Sequence, residues 1–128
     1  MREGVAEVLD DDDHEFVNLL NSLGVQRNVA KVITYLAVAG EATSKEIERG
    51  TDLRQPEVSI AMRTLRRENW VDERDVKSGE GKGRPHKVYT LTTPVDEIIR
   101  HIEEERTKES AKAMESIQRL KYLAAIQC

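Results

Sequence analysis

At 128 residues the chain can form one compact domain and an appended element. Its net charge of −4 argues against a general polyanion binder. Its one cysteine, Cys128, excludes an internal disulfide and a cysteine-based zinc cluster. The longest apolar run, Val32–Ala39, is interrupted by Thr34 and too short to cross a bilayer, and no signal-peptide apolar region is present, so a cytoplasmic protein with no membrane partner is expected.

Residues 1–11 lack apolar periodicity and run into Asp10–Asp13. They are expected to form a flexible acidic leader, with Asp12 or Asp13 capping the next helix. Phe16, Leu19, Leu20 and Leu23 then follow the i, i+3, i+4, i+7 rule of an amphipathic helix that Gly24 ends. A second helix, from about Gln26 to Ala39, repeats that spacing with Val29, Val32, Ile33 and Leu36 until Gly40. Thr43-x-x-Glu46 is a capping box that opens a third, two-turn helix, with Gly50 as its end. The fourth opens with Gln55-Pro56, proline suiting the first helical position, and carries the apolar stripe Val58, Ala61, Met62 and Leu65. A strand follows from Trp70-Val71 to about Lys77, then a glycine- and proline-rich loop over 78–85, then a return strand over Lys87–Leu91. Pro94 introduces a last helix to about Gln127, on the order of 50 Å long.

The fold class this predicts is mainly α with a small antiparallel β-hairpin (α+β). Residues 12–92 form a winged helix-turn-helix behind the 1–11 leader, and residues 93–128 form a long C-terminal dimerisation helix. Only five aromatic residues are present, so the core is aliphatic and modest, and part of the burial is expected from a partner subunit.

Charge is unevenly distributed. Residues 1–20 hold one basic and seven acidic residues, whereas residues 54–90 hold nine basic and six acidic. On a 100° wheel the stripe of the fourth helix occupies one side. Ser59, Ile60, Arg63 and Arg67 fall on the other, with Gln55 and Arg66 at the flank. An α-helix fits the major groove, where arginine bonds guanine O6 and N7 and Ile60 can meet a thymine methyl. Gln55 and Ser59, near the helix start, suit base edges or phosphate oxygens. The hairpin carries Lys77, Lys82, Arg84, His86 and Lys87, the makings of a wing along the DNA backbone with Lys82 or Arg84 at the minor groove. The acids Asp72, Glu73, Asp75 and Glu80 weaken the local field.

The segments LRQPEVSIAMRTLRRENWV and GKGRPHKVYTLT resemble the winged-helix transcription regulators of the MarR and TrmB-like groups, above all the small archaeal type. The resemblance covers residues 26–92 well and the flanking helices in outline. It implies DNA-binding dimers that repress or activate at promoter operators, with Arg54–Asn69 as the recognition helix and Gly81–His86 as the wing tip. The chain has no room for the large effector domain of the longer TrmB-type proteins, so sugar sensing does not carry over.

In the last helix Val95, Ile98, Ile99 and Ile102 form one apolar patch, expected to pack on the winged-helix core. After the polar stretch Glu103–Ser110, Ala113, Ile117, Leu120 and Ala124 recur at spacings of 4, 3 and 4, widened by Leu123 and Ile126. This second patch predicts a two-fold homodimer on a palindromic operator; the alternative is a tail folded back on Phe16 and Leu19. Nucleotide-binding and hydrolase motifs are absent, and His14, His86 and His101 lack metal-ligand spacing. No cofactor, metal or catalytic site is therefore expected, and no residue identifies an effector. The function these features predict is sequence-specific, double-stranded DNA binding in transcription regulation. The alternatives are a protein-interaction module and a low-specificity architectural DNA-binding protein.

Overall fold

The structure, a computed structural model, describes residues 9–76 and 86–127. The expected loop 78–85, with Lys82 and Arg84, lies outside the described residues, as do Lys77, Cys128 and the leader through residue 8. The chain divides into two compact units, Met1–Val95 and Asp96–Cys128.

In the first unit the elements run α1 (Asp11–Ser22), α2 (Arg27–Ala39), β1 (Glu41–Thr43), α3 (Ser44–Thr51), α4 (Gln55–Arg67), β2 (Val71–Val76) and β3 (His86–Leu91). α2 is the hub and packs against α1, α3, α4 and β3. Its Val29, Ala30, Val32, Ile33, Tyr35 and Leu36 are all buried, as are Ile47 of α3 and Val58, Ala61, Met62 and Leu65 of α4. Full burial of one such aliphatic side chain is worth about 1.5–3 kcal/mol. The buried threonine hydroxyls of Thr34 and Thr51 are satisfied within their helices. Thr34 donates to the Ala30 carbonyl at 2.8 Å and Thr51 to the Ile47 carbonyl at 2.6 Å.

The ends of α1 differ from expectation in detail. Asp10, not Asp12 or Asp13, is the N-cap: its carboxylate accepts the Asp13 N–H at 2.9 Å, and Asp13 accepts the Asp10 N–H at 3.0 Å. Asp13 is thus the returning acid of a capping box. Leu9 is buried, so the core takes in a residue of the segment expected to be leader. α1 buries Val17 and Leu20, whereas Leu19 and Leu23 are 57% and 43% exposed. Its apolar arc is wider than the strip that α2 covers. At the other end the Gly24 and Val25 amides donate to the Asn21 and Leu20 carbonyls, and Gly24 takes φ +102°, completing a Schellman motif.

The sheet has three strands, not two, in the order β1-β3-β2, all antiparallel. β1 pairs Glu41 with Thr90 and Thr43 with Val88 on the far edge of β3, while Val71–Val76 of β2 pairs with Leu91–His86. Three residues carry too little alternation to predict a strand. Glu41–Thr43 is extended because the β3 edge supplies its hydrogen-bond partners.

Gly50 does not end α3. The helix runs on through Thr51 to a C-cap at Asp52 with φ 60°. Gly50 is buried against α2, and a Cβ there would lie 2.1–2.8 Å from the Tyr35 ring. The glycine is present for close approach.

The second unit holds α5 from its second residue on; the helix begins at Val95, directly after Pro94, and runs unbroken to Gln127 over 33 residues. Ile98 and Ile102 are buried, Ile99 is exposed, and every described side chain from Glu103 to Ile126 is exposed.

Glycine inside a helix ordinarily costs about 0.5–1 kcal/mol relative to alanine. At position 50 the overpacking cost of about 1–3 kcal/mol wins, because the buried Tyr35 ring has no free end to move. Gly50→Ala is therefore expected to lower the urea midpoint with an unchanged slope. A midpoint at or above the parent's would show that the ring yields.

Candidate nucleic-acid interface

α3 and α4 are joined by a short turn set at both ends by local chemistry. The Thr43 hydroxyl accepts the Glu46 N–H at 3.2 Å and Glu46 accepts the Thr43 N–H at 2.8 Å, which starts α3 as the sequence predicts. Asp52 closes α3 in the left-handed region, and its turn leads to Arg54, the N-cap of α4. Glu57 accepts the Arg54 N–H at 2.8 Å, satisfying a donor just ahead of the helix. Pro56 stands at the second helical position, where its missing N–H costs nothing. Asn69, with φ 63°, ends the helix in a Schellman motif: the Asn69 and Trp70 amides donate to the Arg66 and Leu65 carbonyls. The Thr92 amide then donates to the Trp70 carbonyl at 2.9 Å, tying the end of β3 to the end of α4.

With Val58, Ala61, Met62 and Leu65 nearly inaccessible, the opposite face must meet solvent. Gln55, Ser59, Ile60, Arg63, Arg66 and Arg67 are all exposed, as is Arg54. Ile60 is 55% exposed, an unusual position for a large aliphatic side chain flanked by arginines. The Gln55 amide donates to Ser59 Oγ at 3.1 Å, which pairs two of the predicted contacts at the helix start. Arg54, Arg63 and Arg67 have no ion pair among the described residues.

Arg66 and Lys87 behave differently. Both bind the carboxylate of Glu73: Arg66 Nη1 donates to Oε1, and Lys87 Nζ donates to Oε2 at 3.0 Å. Lys87 also lies 3.6 Å from Asp75, its cross-strand partner. Glu73 is paired with Tyr89, so Glu73 and Lys87 are diagonal neighbours on one face of the sheet. The three charges line a groove of about 450 Å³ between α4 and the hairpin, together with Ser59, Met62, Arg63 and Tyr89. His86, the first residue of β3, is exposed opposite Val76. Of the other predicted wing residues, Lys77, Lys82 and Arg84 lie outside the described residues.

Sequence reasoning named Glu73 only as a local acid and missed its role as a bridge. The diagonal pairing depends on the hairpin register, which a long tip leaves open. Arg74 was also missed. Its guanidinium reaches both Glu41 oxygens, at 3.0 and 3.1 Å, and so clips β2 to β1 across β3. On α5, Ala113, Ile117, Leu120, Leu123 and Ala124 are all exposed, with Leu120 at 65%. Met114 and Ile126, also well exposed, widen the patch.

The Lys87 hydrogen bond, against a smaller opposing effect of burial and with help from the Arg66 charge, holds the Glu73 carboxyl below the ordinary range. The same hydrogen bond, with the charges of Asp75 and Glu73, raises Lys87. A lowered carboxylate stabilises the fold above its unfolded pKa, about 4.3, and loses that contribution as pH falls through the folded value. A raised lysine stabilises below about 10.4 and loses it as pH rises through the folded value. Glu73→Gln is therefore expected to be less stable than the parent at pH 7, with the gap closing as pH falls through the folded value of Glu73. Thermal melts across that range measure it; a gap independent of pH would remove the ion network as its cause.

No family model and no curated protein matches the chain. Solved structures do. A MarR family regulator from Neisseria meningitidis superposes with a TM-score of 0.50 at 16% identity, covering 89% of this chain and 88% of its own. A possible transcriptional regulator from Methanosarcina mazei gives 0.57 at 14% identity, covering 84% and 86%. The archaeal chromatin protein TrmBL2, described as having a novel mode of DNA binding, gives 0.58 at 18% identity. There the match covers 84% of this chain but 40% of that one. At such identities the likeness is one of architecture: the chain has a winged-helix fold similar to that of MarR-family and TrmB-like regulators.

Proposed function

We propose that this chain is a sequence-specific DNA-binding transcription regulator, working in the cytoplasm as a homodimer on a palindromic operator, and not an enzyme. The observation that carries the reading is the exposed face of α4, which offers Arg63 and Arg67, with no ion pair among the described residues, beside an exposed Ile60. In this reading residues 12–92 are the DNA-binding domain and residues 93–128 the dimerisation helix. α4 enters the major groove with Arg63 on a guanine, Ile60 against a thymine methyl, and Gln55 and Ser59 on base edges or phosphate. Lys82 and Arg84 of the wing follow the backbone towards the minor groove.

Dimerisation contributes to DNA affinity in this reading. The excess of three positive charges over residues 54–90 is modest, so one copy binds weakly. Pairing two copies through Ala113, Ile117, Leu120, Leu123 and Ala124 makes the second contact effectively intramolecular. It also sets half-sites about one helical turn, roughly 34–36 Å, apart. A low-specificity architectural role is the second reading, favoured by the likeness to an archaeal chromatin protein. A footprint that spreads along any DNA as concentration rises supports that role; a bounded footprint supports an operator.

Mobility shifts against genomic fragments at two salt concentrations test the reading, and absence of binding at low salt would end it. Arg63→Ala is expected to cost about 1–3 kcal/mol and to relax preference at one base pair. Arg84→Ala is expected to weaken all sequences alike and to reduce the salt slope by about 1. In ultracentrifugation, the full chain carrying Ile117→Asp and Leu120→Asp is expected to be monomeric; a dimer would move the interface elsewhere.

A further inference from the structure

Arg66 and Lys87 come from elements far apart in sequence, yet their charged groups converge on one acceptor in the α4–hairpin groove. One carboxylate oxygen takes the guanidinium and the other takes the ammonium. Two cations converging on adjacent oxygens of one anion also suit the non-bridging oxygens of a phosphodiester. Ser59 and Arg63 line the same groove, and Arg63 has no ion pair among the described residues. All three pairing residues remain partly open to solvent, at 44%, 54% and 28% of their side-chain surface for Arg66, Lys87 and Glu73. A solvent anion therefore has a route to both cations.

We propose that Glu73 is a built-in competitor for a phosphate site: its carboxylate occupies the anion-binding position formed by Arg66 and Lys87, and a DNA backbone phosphate must displace it. The anion site stands on the geometry alone; DNA as its occupant rests on the function proposed above. The groove side chains Arg63, Arg66, Lys87 and Glu73 carry a net charge of +2, and losing the carboxylate makes it +3. Because Glu73 is tethered, it is present at high effective concentration and suppresses every phosphate contact there equally, whatever the base sequence. Its consequence is selective. Backbone affinity is held down while the base-reading side chains Ile60 and Arg63 stay unengaged, so a larger share of binding energy depends on sequence.

The test compares the full-length parent with Glu73→Gln and Glu73→Ser, using pyrophosphate as the probe in calorimetry and a duplex in mobility shifts. Both variants are expected to bind pyrophosphate at least about tenfold more tightly than the parent, and Arg66→Gln added to Glu73→Gln is expected to abolish the gain. On DNA the variants are expected to gain roughly 2–30-fold at low salt, the equivalent of the two exposed ion pairs to Glu73, while Asp75 stays beside Lys87. Their salt slope is expected to steepen by about 1–2, with lower discrimination against competitor DNA. Glu73→Asp, which keeps the charge, is expected to follow the parent. Pyrophosphate binding no tighter in either variant overturns the proposal. Tighter pyrophosphate binding with unchanged DNA affinity and slope overturns DNA as the occupant. Tighter pyrophosphate binding with no DNA binding by any protein, parent included, supports the anion site and removes the DNA-binding reading instead.

Discussion

The packing of α4 on α2 is the constraint from which the candidate interface follows. Val58, Ala61, Met62 and Leu65 must leave water, and α2 offers the apolar surface that takes them. Once they are buried, helical geometry leaves Ser59, Ile60, Arg63 and Arg67 no alternative but the outside. The remaining devices serve this placement. The Thr43–Glu46 and Arg54–Glu57 caps position the two helix starts, and the absence of a Cβ at Gly50 lets α3 close on Tyr35. Moving the α4 stripe by one residue would carry the arginines round by 100° and dismantle the exposed face.

Electrostatics refine the surface without holding it together. The ion pairs of the sheet are partly exposed, and such pairs contribute little to stability. Their effect is on availability. Glu41 occupies Arg74 and Glu73 occupies Arg66 and Lys87, so several cations of the basic segment are neutralised within the fold. Among the described residues of that segment, Arg54, Arg63 and Arg67 have no ion pair, all on α4 or its cap. A chain of net charge −4 thus presents a compact positive face, and that face coincides with the one exposed by packing.

α5 poses the complementary problem. Leu120 is 65% exposed and shares a helix surface with Ile117 and Leu123, also exposed. An isolated chain would carry this patch in water, and contiguous apolar surface of this kind marks an interface. The same helix devotes Glu103–Ser110 to polar residues, and it continues through them without a break.

Most of the elements were legible from the residues because their causes are local. Periods of 3.6, capping boxes and glycine after the last apolar residue report on neighbours within a few positions, so the five helices, the hairpin strands and the face of α4 follow directly. The misreadings share one origin. β1 exists because the edge of β3 supplies partners; Gly50 is glycine because the ring of Tyr35 lies against it; and Leu19 and Leu23 are exposed because α2 covers only part of α1. By itself, then, the sequence determined which side chains of α4 face out, since burying a periodic stripe is a property of one helix. Only the tertiary structure decided which of those cations are free. Arg66 meets Glu73 and Lys87 through the turn after α4 and the register of β2 on β3, and no local pattern in the chain encodes that meeting.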